Sequence, residues 1–332
     1  MDITLISKSF QTNTNGLGSY SKNLHESIKN NRNLNIRQIS QNNTLIKLGQ
    51  PATLFFSFVE IPLKMRNSDI YHALSPMESF YLDPKKSVVT ILDFIPLFEN
   101  TEETDKFKNF TKFFYEKAVK KSIKFEKIIT ISEETSNDLK SHYNVDDEKI
   151  HSIRLAIDRK YHPKNIKNDI FTIGTVSGLG SRKRIDILIK SFLDADIENS
   201  RLLIGGKGHM LDELKKLANN DPRILFLGFI SDEDMVDFYN SLDVFVFPTI
   251  MEGYGMPIVE AMACGKPVIT LEDAYIPHDI KKRTHISSKN NLANVLKEKN
   301  FDCDIKSNLK FSKEFSLENM GYDLIKVYEE ML

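Results

Sequence analysis

The sequence predicts an α/β protein built from two doubly wound parallel sheets, and three observations carry that prediction. The chain has 332 residues, more than the roughly 100–200 typical of one domain. Short apolar runs alternate with polar or helical stretches, the pattern of a parallel sheet covered on both faces. The alternation then starts afresh after a polar, proline-containing segment, RKYHPKNIKNDI, at 159–170.

In chain order, the run Asp2 to Ile6 leads into a polar, glycine-containing turn, NTNGLGSYSKNL, and then a helix. DIYHAL (69–74), SVVTILDF (87–94) and KIITIS (127–132) read as buried strands, each followed by polar or helical sequence. Beyond the linker come FTIGTVSG (171–178), RLLIGGKG (201–208), RILFLGF (223–229), VFVFP (244–248) and KPVIT (266–270). The resulting domains span 1–160 and 161–310, followed by a terminal segment, 311–332. Ligands of doubly wound sheets bind at the carboxyl ends of the strands, so a cleft between the two domains is the expected site.

Composition excludes several classes. Lys and Arg number 45 against 46 Asp and Glu, a net charge of −1, so nothing points to nucleic acid as a partner. With 41% hydrophobic and 27% charged residues, the chain is neither disordered nor fibrous. Cys264 and Cys303 are too few for a disulfide framework and are not spaced as metal ligands, which fits a reducing, cytoplasmic location. The start, MDITLISKSF, has neither a basic region nor a small-residue cleavage site, and no apolar run reaches about 18–20 residues. Neither a signal peptide nor a membrane span is therefore expected.

The densest chemistry lies at EGYGMPIVEAMACGKPVIT, 252–270. Glu252 and Glu260 are separated by seven residues, with Gly253, Gly255 and Pro257 between them. Glycines just past the strand VFVFP let the backbone approach a ligand, and a helix beginning near Pro257 would favour a phosphate at its N-terminus. On the alternative reading the glycines only shape a turn and the glutamates cap a helix. A second constellation is TVSGLGSRKRIDILIKSF, 175–192, where Arg182, Lys183 and Arg184 precede a helix. Cations at a helix N-terminus oppose its dipole unless an anion lies between them, so this turn is either a phosphate site or a solvated basic loop. Gly206 and Gly208 in LLIGGKGHM invite a dinucleotide reading, but Leu211 stands where the third glycine belongs. His72 and Asp93 end two strands of the first domain. A satisfied buried histidine is an equal reading of His72, and Ser132 reads as a helix N-cap. Finally, KFKNFTKFFYEKAVKKSIKFEK, 106–127, sets Phe107, Phe110, Phe114 and Ala118 on one helical stripe, with Lys108, Lys112, Lys120 and Lys124 on other faces. It reads either as a core-packed helix with a solvated lysine face or as a segment lying on an anionic bilayer.

The string at 252–270 resembles the signature of glycosyltransferase family 4, the group 1 glycosyl transferases, retaining enzymes whose two glutamates flank a Gly-aromatic-Gly-x-Pro turn. The preceding LGFISDEDMVDFYNSLDVFVFPTIMEGYG and the closing FSLENMGYDLIKVYEEML resemble it too. The resemblance implies the GT-B fold: two Rossmann-like doubly wound domains facing each other across a cleft, the first taking the acceptor, the second the nucleotide-sugar donor, and a terminal helix crossing back onto the first. It implies that Glu252 lies by the donor sugar and that Glu260 binds the ribose. Gly253, Tyr254 and Gly255 would hold the sugar or diphosphate, and Arg182 and Lys183 would neutralise the diphosphate. Gly206 and Gly208 would line the nucleotide, while Gly16 and Gly18 would approach the donor phosphate. Relatives often carry His-Asp where this chain has Leu92-Asp93, which leaves Asp93 or His72 for the acceptor. Arg184 takes a place usually held by Asn or Gly.

The implied activity is retaining transfer of a hexose from a UDP- or GDP-sugar to a glycan or lipid-linked acceptor in polysaccharide or glycolipid biosynthesis. Glu252, Arg182, Lys183 and Asp93 are the catalytic candidates. No cofactor is expected. No carboxylate or His/Cys cluster offers metal ligands near either motif, and two fixed cations with a helix dipole can carry the leaving diphosphate instead. Two alternatives stay open: a non-catalytic nucleotide-sugar-binding partner subunit and a sugar-nucleotide epimerase of the same fold.

Overall fold

The computed structural model describes residues 1–10, 16–41, 50–98, 106–166 and 169–332, without the side chains of 50, 98 and 106–111. The chain divides into two compact units, Met1–Ala156 with Phe315–Leu332, and Ile157–Glu314. The sequence reading set these breaks at 160/161 and 310/311.

The first unit holds six parallel strands: β1 (Asp2–Ser7), β2 (Asn35–Ser40), β3 (Ile70–Ala73), β4 (Ser87–Ile91), β5 (Lys127–Thr130) and β6 (Ile150–Ser152), in the order β2-β1-β3-β4-β5-β6. Strands β1, β3, β4 and β5 are almost wholly buried. That is why they read as continuous apolar runs, since helices cover both faces of a parallel sheet. Strands β2 and β6 are edges with polar, half-exposed sequences, NIRQIS and IHS, and carry no such signal. Three longer helices are α1 (Gly16–Ile28), α2 (Lys106–Ser122) and α3 (Glu133–Tyr143). Ser132 caps α3 as expected, its Oγ accepting the Thr135 amide at 3.1 Å. The terminal helix, Leu317–Glu329, belongs to this unit and packs on α1. Its N-cap is Ser316, which accepts the Asn319 amide at 3.1 Å.

Within the stretch 106–127, the side chains of Phe107, Lys108 and Phe110 lie outside the described residues. At its other end Ala118 and Val119 are buried and the Phe114 ring meets Phe58 at 5.6 Å, so α2 is core-packed there.

The second unit also holds six parallel strands: β7 (Phe171–Val176), β8 (Ser200–Gly205), β9 (Ile224–Gly228), β10 (Val244–Phe247), β11 (Val268–Leu271) and β12 (His285–Ser287). Their order, β12-β11-β10-β7-β8-β9, is that of the doubly wound nucleotide-binding sheet, with its reversal between β7 and β10. The core gathers Ile173, Leu188, Ile189, Phe192, Leu202, Ile204, Val244 and Val246 between the sheet and α4 (Ile185–Ala195). Of the strands in this unit, only the short edge β12 was absent from the sequence reading.

Candidate active site

A crevice at the carboxyl ends of the strands is expected where strand order reverses. In the second unit the two loops at that point are 177–184, after β7, and 248–255, after β10. They are joined by the Ile250 amide donating to the Arg182 carbonyl at 2.9 Å. Both sequence constellations thus meet in one place.

Glu252 Oε1 is the centre of the meeting. It accepts from Arg182 Nη1 at 3.0 Å, from Lys183 Nζ, and from Thr249 Oγ1 at 2.7 Å. Arg182 Nη1 also reaches the Met251 carbonyl. Lys183 lies 4.9 Å over the Phe247 ring, and burial lowers its pKa against the opposing pull of Glu252. The backbone of Glu252 is fixed by its amide on the Tyr275 carbonyl, 2.9 Å, while the Tyr275 amide donates to Ile250 O at 2.7 Å. Two cations thus converge on one carboxylate in a mostly buried cluster, and paired cations of this kind suit an anionic ligand.

Arg184 has a different task from its two neighbours. Its φ of +50° is left-handed, which explains why Asn or Gly is usual there. The residue is 7% exposed, and all three guanidinium nitrogens donate. Nε donates to Pro248 O at 2.8 Å and Nη2 to Thr249 O at 2.7 Å, and the fork pairs with Asp273 at 2.8 and 3.0 Å. Lys289 adds a second cation to Asp273 at 2.8 Å, and together these hold the Asp273 carboxyl well below the usual carboxylate range. Arg184 therefore clamps the loop that carries Glu252.

After Gly253, the buried Tyr254 and Gly255 comes the helix α5 (Met256–Ala263), with Pro257 in its first turn. Gly255 is its N-cap with φ +94°, a conformation that strains any residue with a Cβ. Glu260 lies one turn inside. Tyr239 Oη donates to Glu260 Oε2 at 2.7 Å, and Tyr161 supplies a second hydroxyl. Burial raises the Glu260 pKa, while those hydroxyls and Lys160 act against the rise. The sequence reading missed Tyr161, Tyr239, Thr249 and Asp273.

Gly206 and Gly208 answer first to packing. A Cβ at Gly206 would lie 1.8 Å from Ser177 O, and one at Gly208 would lie 2.2 Å from Leu179 O. Backbone bonds, Leu179 N to Lys207 O at 2.9 Å and Met210 N to Leu179 O at 3.1 Å, tie the two loops together. These glycines thus support the turn that presents Arg182 and Lys183.

In the first unit, Gly16 and Gly18 form the start of α1, with Gly16 exposed and Gly18 buried; residues 11–15 of the preceding turn lie outside the described residues. Asp93 follows β4, and its Oδ1 accepts the Ile95 amide at 3.0 Å while its carbonyl accepts from Tyr115 Oη at 2.8 Å. The acceptor role expected of His72 is corrected. Its ring is 0% exposed, with Nδ1 on Tyr328 Oη at 2.7 Å and Nε2 on Thr90 Oγ1 at 2.9 Å. Both nitrogens are committed, and burial pushes its pKa down to about 3, so His72 is a neutral core residue.

Among the described residues, no group of three or more His, Cys, Asp or Glu is placed to hold a metal ion. Nor is any helix there long and apolar enough to cross a membrane.

Residues 157–299, most of the second unit, match the family model described as glycosyl transferases group 1. The chain is 25% identical over 304 residues to the serotype-specific mannosyltransferase WbdA of Escherichia coli, a match covering 80% of this chain and 36% of that protein. The chain thus spans about a third of that relative's length. Among solved structures, it is similar to the apo form of the lipopolysaccharide outer core galactosyltransferase WaaB, with a TM-score of 0.69, 13% identity and 100% of both chains covered. Anabaena Alr3699/HepE in complex with UDP and glucose gives a TM-score of 0.69 at 17% identity, covering 99% of this chain and 100% of that one. The fold is GT-B.

Proposed function

We propose that this protein is a retaining, metal-independent glycosyltransferase that moves a hexose from a UDP- or GDP-sugar to a glycan or lipid-linked acceptor. The observation that carries the reading is the cluster of Arg182, Lys183 and Glu252 at the reversal of strand order, a few residues before the N-terminus of α5. Arg182 and Lys183 take the diphosphate and stabilise it as it leaves, supplying the charge a metal would otherwise supply. Glu252 stabilises positive charge growing at the anomeric carbon, and Glu260, steadied by two tyrosine hydroxyls, takes the ribose. The mannosyl- and galactosyltransferase names of the relatives support a hexose and an acceptor of the polysaccharide or lipopolysaccharide kind. The solved complex of a similar fold with UDP and glucose supports a nucleoside-diphosphate donor. The first unit provides the acceptor side, with Asp93 as its contact, and the lysine face of α2 lies on an anionic bilayer when the acceptor is lipid-linked.

The test is transfer or hydrolysis of UDP- and GDP-hexoses in excess EDTA, with proton NMR of the fresh product. Turnover that persists, with the donor's anomeric configuration kept, is the expected result. Activity lost in EDTA and restored by Mg²⁺ overturns metal independence, and an inverted product overturns the retaining mechanism.

A further inference from the structure

We infer that Glu252 occupies the place of the donor diphosphate in the ligand-free protein and is exchanged out of it when the donor binds. This rests on the donor reading above and adds a coupling to it. In the structure the charge of Glu252 is spent: Arg182 and Lys183 both donate to the same Oε1, as does Thr249. A carboxylate neutralised by two cations does little for a cationic transition state elsewhere. The Arg182 Nη1 and Lys183 Nζ bonds that hold this carboxylate are bonds a phosphate oxygen would otherwise take.

Charge arithmetic decides which anion wins. Glu252 brings one negative charge to the two cations, and burial works against the charged form of Lys183. A diphosphate diester brings about two negative charges and several acceptor oxygens, so it satisfies the pair better than Glu252 does. Once the diphosphate has taken both cations, the Glu252 carboxylate carries an uncompensated charge. That charge is released at the moment the sugar reaches the site, which confines the electrostatic assistance to the donor-bound state. Exchange also runs backwards: after transfer, Glu252 competes with the nucleoside diphosphate for the cations and hastens product release.

The consequence is a sign that an ordinary contact residue does not give. Removing the carboxylate removes an internal competitor, so Glu252→Gln and Glu252→Ala should both bind nucleoside diphosphate more tightly than the wild type, by about tenfold. Affinity for the bare nucleoside should stay unchanged. The experiment is calorimetric titration of UDP, GDP, ADP and the matching nucleosides into the full chain, its two Glu252 variants, and Arg182→Ala and Lys183→Ala as references. Two Glu252 variants are used because a shift of the same sign in both follows from lost charge and not from a changed shape. Tighter diphosphate binding in both, with affinity lost in the cation variants, supports the exchange. Equal or weaker binding in the Glu252 variants overturns it, while loss in the cation variants leaves the donor reading standing. Wild type and variants alike binding no nucleoside diphosphate overturns the donor reading and the exchange together.

Discussion

Replacing Arg184 should damage the second unit more than replacing either neighbouring cation, although Arg184 is the one of the three that no ligand needs to touch. In Arg184→Ala, Pro248 O and Thr249 O each lose a charged donor, at about 1.5–3 kcal/mol per bond. The Asp273 pair adds little, because that carboxylate is 44% exposed and keeps Lys289. Alanine retains the left-handed strain, so nothing offsets the loss, and the sum is about 3–6 kcal/mol. Arg184→Gly relieves that strain by roughly 1–2 kcal/mol and should be the milder variant. For a unit of this size the alanine change lowers Tm by about 6–24 °C, at 2–4 °C per kcal/mol. Thermal unfolding followed by circular dichroism reads the ordering. Arg184→Lys, which keeps the charge and loses the fork, should fall near alanine. A shift below about 2 °C for Arg184→Ala, or glycine less stable than alanine, would refute the clamp.

Three further outcomes follow from the same geometry. Arg182→Ala or Lys183→Ala should weaken nucleoside-diphosphate binding at least tenfold while leaving nucleoside binding within about twofold; equal losses in calorimetry would make the turn purely structural. Glu260→Gln should chiefly raise the donor KM, since ribose hydroxyls are held alike in ground and transition states, whereas Glu252→Gln should lower kcat without raising KM; identical kinetic defects would show that the two carboxylates do not divide the work. Folding of the first unit should weaken in acid, because His72 is held neutral with a pKa near 3 against 6.5 for an unperturbed histidine. The unfolded chain takes up that proton first, so this stability is complete above about pH 6.5 and is lost at up to 1.4 kcal/mol per pH unit as pH falls toward 3. Urea midpoints of wild type and His72→Gln against pH test the point, and parallel curves would count against it.

Which parts of this molecule could be read from its sequence follows from how far each signal reaches along the chain. Strands β4 and β10, SVVTI and VFVF, are buried on both faces and spell out their burial residue by residue. The edges β2, β6 and β12 take half their pairing partners from water, and their polar sequences differ little from loops. The site divides in the same way. Glu252 and Glu260 stand out because a glycine-proline turn and two carboxylates fall within nine positions, and local spacing is what a sequence displays. Tyr239 resembles any core aromatic until folding brings it to Glu260, and Asp273 resembles any surface acid until it meets Arg184, 89 residues away. Arg184 joins the two cases. The sequence exposes it as a basic residue where Asn or Gly is usual, yet only the backbone angle shows why those residues are usual, and only the engaged guanidinium shows what the arginine adds. A position that tolerates glycine for its backbone has been given a side chain that holds the Glu252 loop from beneath. The departure from the family pattern is therefore better read as a structural gain beside the cation pair than as a third phosphate ligand.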